Sequence, residues 1–123
     1  MYSESSGHPD TLLTIGSSTT LRAAAWNTVP VTPFSLVAGT RYWFALLATG
    51  GNIKFRQRYG TGGGIDELHA QQSMTSLPST WITGTIYAGG AWTSAYGSGV
   101  VTGTQTAASP VLAVNPNGLN FGA

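Results

Sequence analysis

Asp66, Glu67 and His69 form the densest group of titratable side chains in the chain, with His8 and Asp10 as candidate distant partners. Carboxylate and imidazole donors suit a divalent metal, and on a helix Asp66 and His69 would stand at i and i+3 on one face. The spacing reproduces neither the His-Glu-x-x-His zinc pattern nor a twelve-residue calcium loop. The ordinary alternative is a helix start, where two acids meet the positive end of the dipole and His69 faces solvent. Other catalytic patterns fail sooner. Gly60-Thr61-Gly62-Gly63-Gly64 lacks the Gly-Lys-Ser/Thr of a phosphate loop, and Ile65 stands where a dinucleotide fingerprint needs its third Gly. Gly97-Ser98-Gly99 is not a nucleophile elbow. A glycosidase needs two carboxylates facing each other across a substrate. The only acids are Glu4, Asp10, Asp66 and Glu67, and the one close pair is adjacent in sequence. The residues therefore predict no catalytic site and no cofactor.

Aromatic and basic residues offer a different chemistry. Trp81, Tyr87, Trp92 and Tyr96 are interleaved with Thr, Ser and Gly. Flat rings stack on sugar C–H faces, and small polar neighbours orient hydroxyls. Trp81 and Tyr87 read as core or interface residues of a strand, whereas Trp92 and Tyr96 lie in a Gly-rich stretch and are the candidates for exposure. Lys54, Arg56 and Arg58 alternate along one strand face and hold three of the five basic residues. They would suit carboxylates of an acidic cell-surface polysaccharide, or serve as the charged wet face of an edge strand. Trp92, Tyr96, Lys54, Arg56 and Arg58 are thus the candidate glycan contacts.

Composition bounds the classes. In 123 residues, charged side chains are 7%, against roughly 25% in an ordinary soluble domain. A net charge of +1 argues against electrostatic nucleic-acid binding, which needs clustered cations to displace counterions. The absence of Cys excludes disulfides, thiol catalysis and thiolate metal sites. The longest apolar run, residues 42–48, is far short of the roughly 20 needed to span a bilayer, so no membrane insertion is expected. Residues 1–10 have neither the basic region nor the apolar core of a secretory leader.

The elements that must position these groups read as β throughout. Short runs of β-prone residues are separated by Gly, Pro, Asn or Ser, which predicts an all-β antiparallel sandwich with at most one short helix near 65–74. Strands are expected at 11–15, 21–26, 34–37, 41–48, 53–59, 81–88, 99–103 and 110–114, with 88–99 an ordered surface loop. On 41–48, Tyr42, Phe44 and Leu46 face one way and Trp43, Ala45 and Leu47 the other. Two apolar faces predict the centre of a packed sheet. No 20–50-residue repeat or heptad pattern appears.

Three stretches carry a resemblance: Met1-Tyr-Ser-Glu-Ser-Ser-Gly-His-Pro-Asp-Thr-Leu-Leu13, Ala25-Trp-Asn-Thr-Val-Pro-Val31, and Phe34-Ser-Leu-Val-Ala-Gly-Thr-Arg-Tyr-Trp-Phe-Ala-Leu46. With Ser94-Ala-Tyr-Gly-Ser-Gly99, they resemble a β-sandwich module of tailed-bacteriophage tail and fibre proteins and of large secreted or surface-anchored bacterial proteins. The resemblance covers about residues 1–114 and implies a jelly-roll-like sandwich used for display, assembly or adhesion. Residues 115–123 read as a linker, and Asn117-Gly-Leu-Asn-Phe-Gly122 resembles the opening of an immunoglobulin-like module. In similar modules further strands precede the one containing Tyr2, which implies a strand supplied by preceding chain or by a neighbouring subunit. The expected function is a non-enzymatic structural and adhesion module of a virion tail, fibre or similar surface appendage. It would self-associate and touch surface polysaccharide, and it would be extracellular or on the virion surface. The alternative is a carbohydrate-binding domain of a secreted bacterial protein. A third reading, a small metal-dependent enzyme, would be built around Asp66, Glu67 and His69.

Overall fold

The computed structural model describes residues 1–58, 64–90 and 92–100. The expected strands 99–103 and 110–114, the 115–123 linker and most of the Gly60–Gly64 loop lie wholly or partly outside the described residues. Strands β1 (Tyr2–Ser5) and β2 (His8–Leu12) form an antiparallel hairpin. Its turn has positive φ at both central residues, 54° at Ser6 and 87° at Gly7, the geometry whose twist matches right-handed strands. The Gly7 N–H donates to the Glu4 carboxylate at 2.5 Å and closes the turn.

The hairpin is extended on both flanks. Tyr2 and Trp43 exchange backbone hydrogen bonds of 2.9 and 3.0 Å. On the other side Leu12 N–H donates to Ser79 O and Trp81 N–H to Asp10 O, at 2.9 and 2.7 Å. From Trp81 the chain passes into β5 (Thr83–Gly90), which pairs antiparallel with β4 (Gly64–His69). Trp81 thus stands where the chain leaves one sheet for the other. At that corner the register slips between Glu67 and His69, and β5 carries Gly84. A Cβ on Gly84 would lie 2.8 Å from Leu68 O and 2.9 Å from the Ala70 backbone, so only Gly admits this approach. A third, two-residue pairing joins β3 (Gln57–Arg58) to β6 (Trp92–Thr93).

The chain is β-rich with small antiparallel sheets, and there is no helix among the described residues. The helix expected near 65–74 is corrected to strand β4 followed by bends. A two- to three-turn helix has little to offset its costly nucleus, whereas as a strand the segment points Glu67 and His69 inward and finds β5 as a ladder partner.

Other strands are corrected as well. Residues 21–26 form no strand, because the Asn27 side chain takes the groups a ladder would use. Its Oδ1 accepts from Arg22 N–H at 2.8 Å, and its Nδ2 donates to Arg22 O and Ala25 O. Residues 34–37 are likewise outside any ladder, with Val37 N–H donated to the Tyr42 hydroxyl at 3.0 Å. Residues 53–59 shrink to β3 within the described part, and the strand expected at 11–15 lies three residues earlier, as β2, with residues 13–15 outside it. The expected strand 81–88 is present as β5, displaced by two residues.

The strand expected at 41–48 is corrected: residues 41–48 form no strand and are not the centre of a packed sheet, their one pairing being the Tyr2–Trp43 bridge. Trp43, Ala45 and Leu47 are half-buried, but Phe44 and Leu46 are 53% and 58% exposed. Tyr42, expected on the same face as Phe44 and Leu46, is half-buried against Phe34. Wherever exposure is described, the buried residues are Tyr2, Pro9, Thr14 and His69, and Tyr2 is the one large side chain wholly out of solvent.

Candidate functional site

The corner between the two sheets collects the polar chemistry. Glu67 points in from β4, and its side chain is 1% accessible. Its Oε1 accepts from the Trp81 indole N–H at 2.8 Å and from the Thr83 hydroxyl at 2.7 Å. Its Oε2 is 2.8 Å from Nδ1 of His8, which reaches across from β2. An ionised carboxylate only accepts, so the proton lies on Nδ1 of His8. Burial by itself would raise the Glu67 pKa. The hydrogen bonds from Thr83, His8 and Trp81, with the attraction of His8, outweigh it and hold the carboxyl below its ordinary value.

His69 shares the inward side of β4 and is buried. Its Nδ1 accepts from Gln71 N–H at 3.0 Å, which puts the proton on Nε2, and that atom has no hydrogen-bond partner. The ring meets Trp81 edge-on at 5.1 Å, and Trp81 in turn meets Tyr2 at 5.3 Å. The Tyr2 hydroxyl donates to Pro78 O at 2.6 Å. A run of aromatic rings therefore backs the carboxylate, and Trp81 ties both sheets together.

Of the residues nominated for a metal, the structure unites Glu67 with His8 and leaves the others apart. Asp66 is exposed on β4, opposite Tyr87 in register. Asp10 receives the Thr11 hydroxyl at 3.0 Å. On a strand, Asp66 and His69 do not share a face, since successive side chains alternate. Three donors already occupy the Glu67 carboxylate, and no group of three or more His, Cys, Asp or Glu side chains is placed to hold a metal among the described residues. A depression lined by Gln71, Ser73, Met74, Thr75, Ser76 and Pro78 holds no titratable group.

The nominated glycan contacts are brought together by backbone pairing. Arg58 is opposite Trp92 and Gln57 opposite Thr93, and Ser94 N–H donates to Arg56 O at 2.9 Å. The basic segment 54–58 and the aromatic segment 92–96 therefore belong to one antiparallel path, a relation invisible at a separation of more than 30 residues. Lys54 and Arg56 are exposed. Tyr96 is 69% exposed and sets its ring against Trp26 at 5.4 Å and 72°. Trp26, 56% exposed, is the residue that sequence reasoning missed. Its signal was Asn27, a turn-forming residue directly after it, whose three bonds to the 22–25 backbone hold the loop while Ala24 adopts φ 55°.

Comparison with protein-family models, with curated proteins and with solved structures found no match to the chain.

Proposed function

We propose that the chain is a non-enzymatic, jelly-roll-like β-sandwich module of a virion tail, fibre or similar surface appendage, extracellular or on the virion surface. It packs with further copies of itself into an oligomeric assembly, and contact with host glycans is its second role. The observation that carries this reading is the uncovered apolar face of residues 41–48, with Phe44 and Leu46 outward while their neighbours turn in. Leu36 and Val37, just before it, are 60% and 63% exposed. Single exposed apolar residues are ordinary, but several along one short segment, Leu36, Val37, Phe44 and Leu46, favour an interface. With 7% charged residues most of the surface carries no charge, which favours packing against a like, weakly charged surface.

Light scattering on the full chain at several concentrations tests the reading. A discrete trimer or larger particle is expected, and Phe44→Ser with Leu46→Ser should shift it toward monomer. A stable 12.7 kDa monomer at all concentrations overturns the assembly role. It would leave the second reading, a carbohydrate-binding domain of a secreted bacterial protein, which the exposed Trp26–Tyr96 pair favours.

A further inference from the structure

The charges of this chain are segregated. All four acids lie at Glu4, Asp10, Asp66 and Glu67, and all five bases fall within residues 22–58. The acids are largely engaged: Glu4 by the hairpin turn, Asp10 by Thr11, and Glu67 by Trp81, Thr83 and His8. The bases are not. Arg22, Arg41, Lys54 and Arg56 are exposed, and the one ion pair among the described residues is His8–Glu67. Exposed cations that form no ion pair among the described residues are open to an anion, and the Ser94–Arg56 backbone bond places Arg56 beside the segment that carries Tyr96.

The aromatic corner lies in that same part. Trp26 is displayed by a loop that begins at Arg22, and Tyr96 follows two residues after Ser94, the residue bonded to Arg56. Two exposed rings meeting edge to face at 5.4 Å form a rigid apolar corner. The Asn27 bonds fix its Trp half before any ligand arrives, which lowers the entropy cost of binding.

We propose that the Trp26–Tyr96 corner, with the cations of residues 22–56, binds an acidic glycan. The rings take the C–H face of a pyranose, and Lys54, Arg56 or Arg22 takes its carboxylate. A neutral sugar would leave the cations unanswered, and a simple anion would leave the rings unused. The inference deepens the glycan-contact part of the proposed function and rests on it, while being independent of the assembly role.

The test is calorimetric titration of the full chain with an oligogalacturonate and with a neutral galactose oligomer of equal length. Oligogalacturonate should bind more tightly than the neutral oligomer, and the advantage should shrink as salt is raised. Trp26→Ala or Tyr96→Ala should weaken binding by about tenfold, the size of one lost ring contact. Trp26→Phe should restore part of that loss, and Lys54→Gln with Arg56→Gln should erase the preference for the acid. Equal binding of both oligomers overturns the acidic class and leaves glycan contact standing. Binding of neither overturns both. Particle mass, measured on the same samples, reports separately on assembly.

Discussion

The corner around Glu67 and the face around Trp26 and Tyr96 use similar residue types to opposite ends. Both join aromatic rings to charged groups contributed by distant segments. At the corner the charge is buried and every donor points inward, so that His8, Trp81 and Thr83 converge on one carboxylate. At the open face the rings of Trp26 and Tyr96 meet each other while remaining more than half exposed, and Lys54 and Arg56 are exposed as well. The difference teaches how to tell a structural polar cluster from a binding surface. A cluster that satisfies itself holds two sheets together, whereas preorganised groups left uncovered are set for another molecule.

That contrast can be broken by substitution. Glu67→Ala should be the most damaging change, about 3 kcal/mol, because it removes three hydrogen bonds at once, from the half-buried Trp81 N–H, the Thr83 hydroxyl and His8, and with them the tie between the sheets. Urea unfolding followed by tryptophan fluorescence reads it directly, and a loss within experimental error would remove the corner's structural role. Gly84→Ala should cost about 2 kcal/mol by forcing β5 away from the Leu68–Ala70 backbone, measured in the same titration. Acid should act through the same carboxylate. Because the folded-state pKa of Glu67 lies below the ordinary 4.5, its stabilisation is complete above that value and is lost as pH falls through the lowered one. Thermal unfolding at stepped pH should show this loss in the native chain, and Glu67→Gln should flatten it. The smallest effect belongs to the open face. Trp26→Ala should change unfolding free energy by about 1 kcal/mol, since more than half of the ring is already exposed and the contact with Tyr96 is what it loses. A large loss there would make Trp26 a core residue and remove the contrast between the two regions.

Much of the β character was legible because it rests on local pattern. The Thr, Ile and Tyr content of β5 is a short-range signal of this kind. Residues 41–48 show where such signals stop. Alternation separated Phe44 and Leu46 from Trp43, Ala45 and Leu47 but misplaced Tyr42, and no property of those residues says whether a ladder or a second layer will take them up. Residues 21–26 fail for another reason: one Asn side chain, just past the segment, outcompeted the ladder for its backbone groups. Residues 64–69 were ambiguous because two acids and a Leu fit a helix start as well as a strand, and the ladder with β5 decided between them.

The candidate sites divide in the same way. That Asp66, Glu67 and His69, with His8 and Asp10 as distant partners, were the titratable residues to watch followed from their clustering in a chain poor in charge. That Glu67 meets His8 rather than His69, and that the pair is an internal tie between sheets, needed the fold to bring together residues 59 positions apart. Composition by itself determined that this chain is β-rich, weakly charged and without thiol chemistry, since those properties depend on residue type and near neighbours alone. Tertiary structure alone decided which carboxylate is out of solvent, which arginines are exposed and which tryptophan meets Tyr96. Those properties depend on burial and distance between segments far apart in the chain, and no local pattern encodes them.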